Sequence, residues 1–326
     1  MDFMKKLYLL FLVAFTILVF ISLLFSPALR DFREGDLATL KDSRKLKEKF
    51  LFLYQTDPQF RESVDRLREM LFDPLEEFNK TEAWILFNLI LEKMGLPKIE
   101  LEDFRYGRGG LTPSPEPPPE LKPCCENCVD VDEIIDAIVI PVKDLEEGNG
   151  LEAIYVCAHR DVFYGFFMPK KVILEVTLVF SDEDSPFKDI EYDLWRLIAW
   201  GRVEDIETFF IIIDEETGDV EKVSFKGLVI KMKDWPSERR ILPIGSRIAP
   251  YTSSAHDLII FESAEKPLTI YVNTWNHALS LNDNNLLLAK RSYSLEEIEV
   301  RIGRRIDAEN DYSMLKYSSQ RVQSPP

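Results

Sequence analysis

The feature that most constrains this chain is an uncharged, apolar run near its N-terminus. Between Lys6 and Arg30 there is no charged residue, and residues 7–29 are 23 positions of mostly Leu, Phe, Val and Ile. At about 1.5 Å per residue, a helix of that length would be about 34 Å long, enough to cross the ~30 Å hydrocarbon core of a bilayer. The run therefore predicts a single transmembrane helix behind a short basic segment, residues 1–6.

A cleaved signal peptide is the alternative to this anchor. Lys5 and Lys6 would form its basic region, and Ser26-Pro27-Ala28 would supply the small residues of a cleavage site. The apolar run is longer than a signal peptide needs, however, and proline is unfavourable in a cleavage motif. Long domains translocate largely regardless of flanking charge. We therefore expect a single-pass signal-anchor that contacts the bilayer through residues 7–29 and places the C-terminal domain outside the cytoplasm.

Composition indicates a folded, acidic body behind this run. The chain has 12% aromatic residues and a formal net charge of −17. The aromatic content argues against disorder, and the negative charge argues against nucleic-acid binding, which needs a basic surface to neutralise phosphates. In an exported domain the sequon at Asn79 (Asn79-Lys80-Thr81) would be a candidate glycosylation site.

Residues 30–106 are predicted to form a helical, membrane-proximal region. Apolar residues recur at spacings of three and four after Pro58, and Thr81 can cap a further helix that ends before Gly95. The apolar stretch around Trp84 in that helix indicates burial against other elements. Residues 107–123 contain six prolines and three glycines, which predicts an extended linker.

Residues 124–312 are predicted to form an antiparallel β-sandwich. Short β-branched or aromatic runs alternate with turn residues, and no long helix intervenes. The segment 192–200 fits a helix or a strand, and residues 313–326 are expected to be a flexible tail. The predicted strands are 134–142, 153–157, 162–168, 172–180, 208–214, 220–225, 228–232, 258–262, 268–272 and 298–302.

All four cysteines follow the linker: Cys124, Cys125, Cys128 and Cys157. In an oxidising compartment they would pair into two disulfides, with three connectivities open. The alternative is a zinc site in which Cys125, Cys128, Cys157 and His159 supply three thiolates and an imidazole. Free thiols on a cytosolic domain are the third possibility.

Histidines and carboxylates lie at the ends of several predicted strands. Asp205 and Glu207 share one face of an extended segment, while His256 and His277 flank the strands at 258–262 and 268–272. If those two strands form an antiparallel hairpin, both histidines share one rim of the sandwich. Such oxygen and nitrogen ligands suit Ca²⁺, Mg²⁺ or Zn²⁺. These four residues form the candidate metal site, and no other cofactor is expected.

Residues 201–207, read Gly-Arg-Val-Glu-Asp-Ile-Glu, carry a partial resemblance to a known family. The segment resembles the Gly-His-Arg-His-Asp-Trp-Glu heptapeptide of the necrosis- and ethylene-inducing-like proteins. A looser version occurs in the related vacuolar-sorting-associated β-sandwich domains. Residues 258–277 of this chain also resemble the strand and Ser-His loop of those domains. The matching positions are Gly201, Asp205 and Glu207.

The resemblance implies a β-sandwich in which Asp205 and Glu207 bind a divalent cation. Arg202 and Glu204 replace the two histidines of the heptapeptide, and Ile206 replaces its tryptophan. Because those histidines are missing, the resemblance does not carry toxin activity to this chain.

Three functions fit the sequence. The first is a binding or interaction module for a cell-surface glycan or a protein partner. The second is a metal-dependent hydrolase that uses His159 together with the four candidate metal ligands. The third is an accessory subunit of a membrane complex, contacting its partner through the helix of Trp84. No P-loop, HExxH, nucleophile-elbow or dinucleotide-binding motif occurs in the sequence, which favours the first function.

Overall fold

A computed structural model describes residues 43–72, 78–104, 106, 124, 129–160, 171–183, 189–231, 239–241, 255–274, 276–286 and 288–315. The predicted linker at 107–123 and the predicted strand at 162–168 lie outside these ranges, as do residues 316–326 of the predicted tail.

The described residues before the linker form a helical module. Its helices are α1 (Ser43–Thr56), α2 (Pro58–Phe72) and α3 (Lys80–Lys93). Asn79 caps α3, because its side-chain oxygen accepts hydrogen bonds from the backbone N–H groups of Thr81 (3.1 Å) and Glu82 (3.2 Å). Pro58 occupies the first position of α2, where its missing N–H costs no hydrogen bond.

The rest of the chain supplies eleven described strands and four further helices. They are α4 (Val131–Ile134), β1 (Ile135–Pro141), α5 (Val142–Glu147), β2 (Leu151–Arg160), β3 (Lys171–Phe180), α6 (Asp189–Trp200), β4 (Asp205–Asp214), β5 (Val220–Lys231), β6 (Arg239–Ile241), β7 (Ala255–Glu262), β8 (Leu268–Val272), β9 (Leu279–Ser280), β10 (Lys290–Tyr293), β11 (Glu299–Ile302) and α7 (Arg305–Tyr312). A 3-10 turn, Leu295–Glu297, joins β10 to β11.

The segment that fitted either a helix or a strand is α6, and it belongs to the helical module. Its apolar face packs against α1, α2 and α3. Trp195 stacks on Tyr106 with ring centroids 4.8 Å apart and contacts Phe87 edge-on at 5.8 Å. Leu315, at the start of the predicted tail, is buried in the same core. The helical core therefore includes residues from both sides of the linker.

The strands form two sheets, and their topology corrects the predicted fold class. The small sheet has the order β10-β1-β8-β9, and the large sheet has the order β11-β2-β3-β4-β5-β6, with β7 also pairing with β5. The pairs β1–β8 and β11–β2 are parallel. Both sheets are therefore mixed, and the prediction of an antiparallel sandwich was wrong. Parallel partners need long crossover connections, which the period of side-chain alternation does not encode.

The main β core lies between the two sheets, and side-chain alternation along β4 shows how it is built. Phe209, Ile211 and Ile213 point into this core with the apolar residues of β1 and β8. Ile206 points to the other face, where it packs against Ala308 of α7. The large sheet is thus covered on one face by the small sheet and on the other by α7.

The described helices also correct the membrane prediction. The longest of them, α2, has 15 residues and is therefore about 22 Å long. No helix within the described ranges is both long and apolar enough to cross a bilayer. This finding contradicts the prediction of a single-pass, membrane-anchored protein with its C-terminal domain outside the cytoplasm. The run at 7–29 from which it was drawn lies outside the described ranges.

A disulfide joins Cys124 to Cys157 on β2, with the two Cα atoms 5.0 Å apart. This is one of the bridges that the cysteine spacing left open. Because its sulfur is bonded to Cys124, Cys157 offers no thiolate to the alternative zinc set. Cys125 and Cys128 lie outside the described ranges.

We expect loss of this bridge to lower the free energy of unfolding by about 3–4 kcal/mol, because the closed loop spans 33 residues. The measurement is denaturant unfolding of a protein in which Cys125 and Cys128 are serine, compared with the same protein carrying Cys124→Ser. A difference below about 1 kcal/mol would show that the bridge does not stabilise the fold by reducing the conformational entropy of the unfolded chain.

Candidate functional site

The candidate site is centred on His277, in the turn between β8 and β9. Its backbone is left-handed, with φ of 50°, a conformation that histidine adopts more readily than most residues. Its N–H donates to the carbonyl of Thr274 at 3.1 Å, and the hydroxyl of Thr274 accepts from Ala278 N–H at 3.0 Å. These bonds close the turn and turn the imidazole inward, where it is completely buried.

A buried amide network fixes this turn from the opposite side. Asn273 donates from its amide nitrogen to the hydroxyl of Ser280 at 3.0 Å and accepts the N–H of Asn284 at 2.9 Å. Asn285 donates to the Asn273 carbonyl at 3.0 Å. The polar sequence after β8 is therefore a rigid support for the histidine.

His277 pairs with Asp205, the first residue of β4. The distance from Nδ1 to Oδ2 is 2.8 Å. Phe180, the cross-strand partner of Asp205, lies under the imidazole, with ring centroids 3.8 Å apart and planes 10° apart. The pair therefore connects a turn of the small sheet to the first residue of a strand in the large sheet.

Arg196 of α6 brings the helical module to the same point. Its guanidinium is completely buried and lies 3.4 Å from Asp182, 3.5 Å from Glu183 and 3.7 Å from Asp205, measured to the nearest carboxylate oxygen. Tyr192, one turn earlier on α6, donates from its hydroxyl to Glu183 at 3.1 Å. We call His277, Asp205, Arg196, Asp182, Glu183 and Tyr192 the ionic cluster.

Burial and mutual charge shift the pKa values within this cluster in different directions. Burial, reinforced by the Asp205 charge, raises the pKa of Glu183 to about 7. Burial also acts to raise the pKa of Asp205, but the hydrogen bond and charge of His277, followed by the charge of Arg196, lower it overall. Burial acts to lower the pKa of His277, and the hydrogen bond and charge of Asp205 outweigh it, so that this pKa is raised. Glu207 and Asp144 add further negative charge to this environment.

An Asp–His pair can act as a general base when the second imidazole nitrogen faces a substrate. Here Nε2 of His277 is buried and has no hydrogen-bond partner among the described residues. One face of the imidazole is covered by Phe180. The arrangement is a buried contact that links α6, the small sheet and the large sheet.

The structure brings together two of the four candidate metal ligands, Asp205 and His277. Glu207 lies two residues further along β4 and contributes charge to the cluster. The side chain of His256, on β7, is outside the described part of the molecule. Among the described side chains, no group of three or more His, Cys, Asp or Glu residues is arranged to hold a metal ion.

His159 of the alternative hydrolase lies far from the cluster. It pairs with Ile173 of β3, seven residues from Phe180, whose partner on β2 is Leu151. At about 3.3 Å per residue this separation is roughly 23 Å along the strand. His159 therefore lies near the end of β2 that is remote from Phe180, whereas His277 stacks on Phe180.

Sequence reasoning missed Arg196, Asp182, Glu183 and Tyr192. The available signal was the placement of Tyr192 and Arg196 at i and i+4 in α6, among Leu194, Trp195 and Leu197. A charged side chain within so apolar a segment indicates a buried partner of opposite sign.

The residues of the 201–207 segment have structural partners of their own. Gly201 has φ of 73°, and a Cβ atom there would lie 2.6 Å from Ser313 Oγ. Arg202 forms a two-bond ion pair with Glu309 of α7, at 2.8 and 3.1 Å, and Glu204 pairs with Lys47 of α1. Close packing and ion pairing thus account for the glycine and for both charged residues that replace histidines.

Comparison of the chain with protein-family models, with curated protein sequences and with solved structures gave no match.

We expect Arg196→Met to lower the free energy of unfolding by about 3–5 kcal/mol, because the change leaves three buried carboxylates without their cation. Arg66→Met is the matched control. Arg66 pairs with Glu69 and Glu82 at side-chain exposures of 36–46%, so its loss should cost below about 1 kcal/mol. Equal costs in urea unfolding of the two variants would contradict a stabilising role for the cluster.

Stability should decrease between about pH 5 and about pH 8. Glu183, with a pKa near 7 against an ordinary 4.5, keeps a proton in the folded state that the unfolded chain has lost. Its contribution is complete below about pH 4.5 and is lost as the pH rises through 7. The raised pKa of His277 causes a further loss of stability as the pH rises above about 6.5. The lowered pKa of Asp205 causes no change in stability above about pH 4.

The measurement is the free energy of unfolding against pH for the parent and for Glu183→Gln. The parent should lose about 1–3 kcal/mol more than the variant across this range. Glu92→Gln, which alters an exposed carboxylate paired with Lys98, should follow the parent. Superimposable curves for parent and Glu183→Gln would contradict a shifted Glu183.

Proposed function

We propose that this protein is a non-enzymatic interaction module that binds a short apolar segment of a partner protein in a groove of its helical module. The observation that carries the proposal is a groove of about 300 Å³ between α3 and the segment that follows it. The groove is lined by Trp84, Ile85, Asn88, Leu89, Lys98, Ile99 and Glu100.

The walls of the groove are held in place before any partner binds. Asn88 accepts the N–H of Ile99 at 2.9 Å and donates to the Ile99 carbonyl at 3.0 Å. Trp84 donates its indole N–H to the same carbonyl at 2.8 Å. A groove that is already ordered requires little rearrangement on binding, which favours affinity.

An exposed apolar residue lies at the rim. Ile85 is 49% exposed, although the sequence around it is apolar and was expected to be buried. Together with Leu89 and Ile99 it gives the groove an aliphatic lining. Singly exposed apolar residues are common on protein surfaces, and Ile85 supports the proposal because it lies beside Leu89 and Ile99 in the groove.

The size and chemistry of the groove favour a protein segment over a glycan. A volume of 300 Å³ is at the lower limit of small-molecule pockets and accommodates one or two side chains. The polar groups of Trp84 and Asn88 already bond to Ile99, so few are left to recognise sugar hydroxyls. Lys98 and Glu100 at the rim suit polar residues on either side of an apolar anchor.

The hydrolase alternative has less support. A hydrolytic site needs access for water and substrate, and both His277 and Arg196 are completely buried. We therefore propose that the ionic cluster stabilises the fold and that the groove binds the partner segment.

The test is selection from a random-peptide phage library on the full chain, followed by affinity measurement with the enriched peptides. We expect peptides with an apolar anchor whose binding is lost in Ile85→Lys, because a charge at the rim blocks entry of an apolar side chain. Phe52→Lys is the matched control, since Phe52 is a 63% exposed apolar residue on α1 outside the groove lining. The absence of enriched peptides, or equal binding to both variants, would contradict the proposal.

A further inference from the structure

The large sheet ends at β11, a strand that pairs with β2 alone among the described strands. An edge strand presents a row of backbone N–H and C=O groups that can pair with another chain. Natural edge strands avoid such pairing through short length, charged side chains, proline, a bulge or a covering element. β11 contains no proline, and its register with β2 runs without a bulge.

The register shows which backbone groups face outward. Ile302 is opposite Val156, and the N–H of Gly303 donates to the Val156 carbonyl at 2.9 Å. Successive residues of a strand direct their backbone groups to opposite sides. Arg301 therefore faces β2 like Gly303, while Val300 and Ile302 direct N–H and C=O toward the free edge.

The side chains along this edge are exposed and alternate in character. Val300 is 41% exposed and Ile302 is 65% exposed. Between them lies Arg301, which pairs with Glu299 through two contacts of 2.9 Å. The two exposed β-branched residues provide apolar contact area on the strand at which the large sheet ends among the described residues.

The side chains of β11 are complementary to those of a second β11 that runs antiparallel to it. Ile298-Glu299-Val300-Arg301-Ile302 has an apolar residue at its centre and at both ends, with opposite charges between. We propose that β11 pairs with β11 of a second copy of this chain, antiparallel, about a two-fold axis through Val300. This register places Glu299 opposite the other copy's Arg301 and Ile298 opposite its Ile302.

The backbone geometry agrees with this register. Because the backbone groups of Val300 face the free edge, the two Val300 residues form a hydrogen-bonded pair, and each Ile302 N–H meets the other copy's Ile298 carbonyl. Ile298 is already extended, with φ of −128° and ψ of 146°. Glu299 and Arg301 then fall at the non-hydrogen-bonded positions, where opposing side chains lie closest and opposite charges interact best.

Pairing of this kind would join two large sheets into one continuous sheet. A two-fold interface is self-complementary, so each residue contributes twice. The edge lies on the β layers and the groove on the helical module, so this inference goes beyond the proposed function and stands without it. A dimer would also present two grooves, which strengthens binding to a partner with two matching segments.

Cysteine crosslinking of the full chain tests the register directly. In the proposed dimer the two Val300 Cα atoms are about 5.5 Å apart, within the range of a disulfide. We expect Val300→Cys to give a disulfide-linked dimer under mild diamide oxidation. Ile302→Cys, more exposed but opposite Ile298, should stay at the background set by the parent protein.

Charge reversal tests the complementarity. Glu299→Arg, introduced into Val300→Cys, places two arginines opposite each other at both ends of the paired strands and should lower the crosslinked fraction by roughly threefold or more. Glu265→Arg makes the same charge change at an exposed turn residue away from β11 and should leave that fraction unchanged. Background crosslinking at Val300, stronger crosslinking at Ile302 than at Val300, or equal effects of the two charge reversals would overturn the proposal. The first of these results would leave β11 open to an extended segment of a different protein.

Discussion

The architecture depends on one buried cation, the guanidinium of Arg196. It is the bulkiest of the fully buried side chains and contacts carboxylates that follow β3 and begin β4. The opposite face of its helix packs in the core of the helical module. Desolvating one arginine with three carboxylates is costly, and the hydrogen bond between His277 and Asp205, together with the proton that burial favours on Glu183, offsets part of that cost. The helical module and the two sheets therefore meet at a charged contact rather than an apolar one.

Burial of this contact is the reason that no catalytic role is proposed for Asp205, His277 and Arg196. An Asp–His pair beside an arginine resembles a catalytic set in composition, and its pKa shifts are those expected of a functional site. Structural ion-pair networks shift pKa values by the same physics, and complete burial distinguishes the two cases here. The surfaces proposed to bind partners lie elsewhere, at the α3 groove and at the β11 edge.

The sequence predicted local structure better than topology. Apolar spacing after Pro58 and the cap at Asn79 were sufficient to place helices, and alternation located most described strands, because these signals depend on near neighbours. The parallel pairing of β1 with β8 depends on residues more than a hundred positions apart, which no local period encodes. Asp205 and His277 were both named as candidate metal ligands, and the structure places them 2.8 Å apart. Arg196 was missed because its partners come from other elements.

The closed ionic cluster is tested most directly by NMR of the imidazole N–H protons, since the chain has only three histidines. The account predicts one downfield Nδ1 proton that exchanges slowly with water at neutral pH and disappears in Asp205→Asn or His277→Asn. A His277 ring whose protons exchange as fast as those of a free imidazole would contradict it, because solvent would then reach the pair and the cluster would be an accessible site.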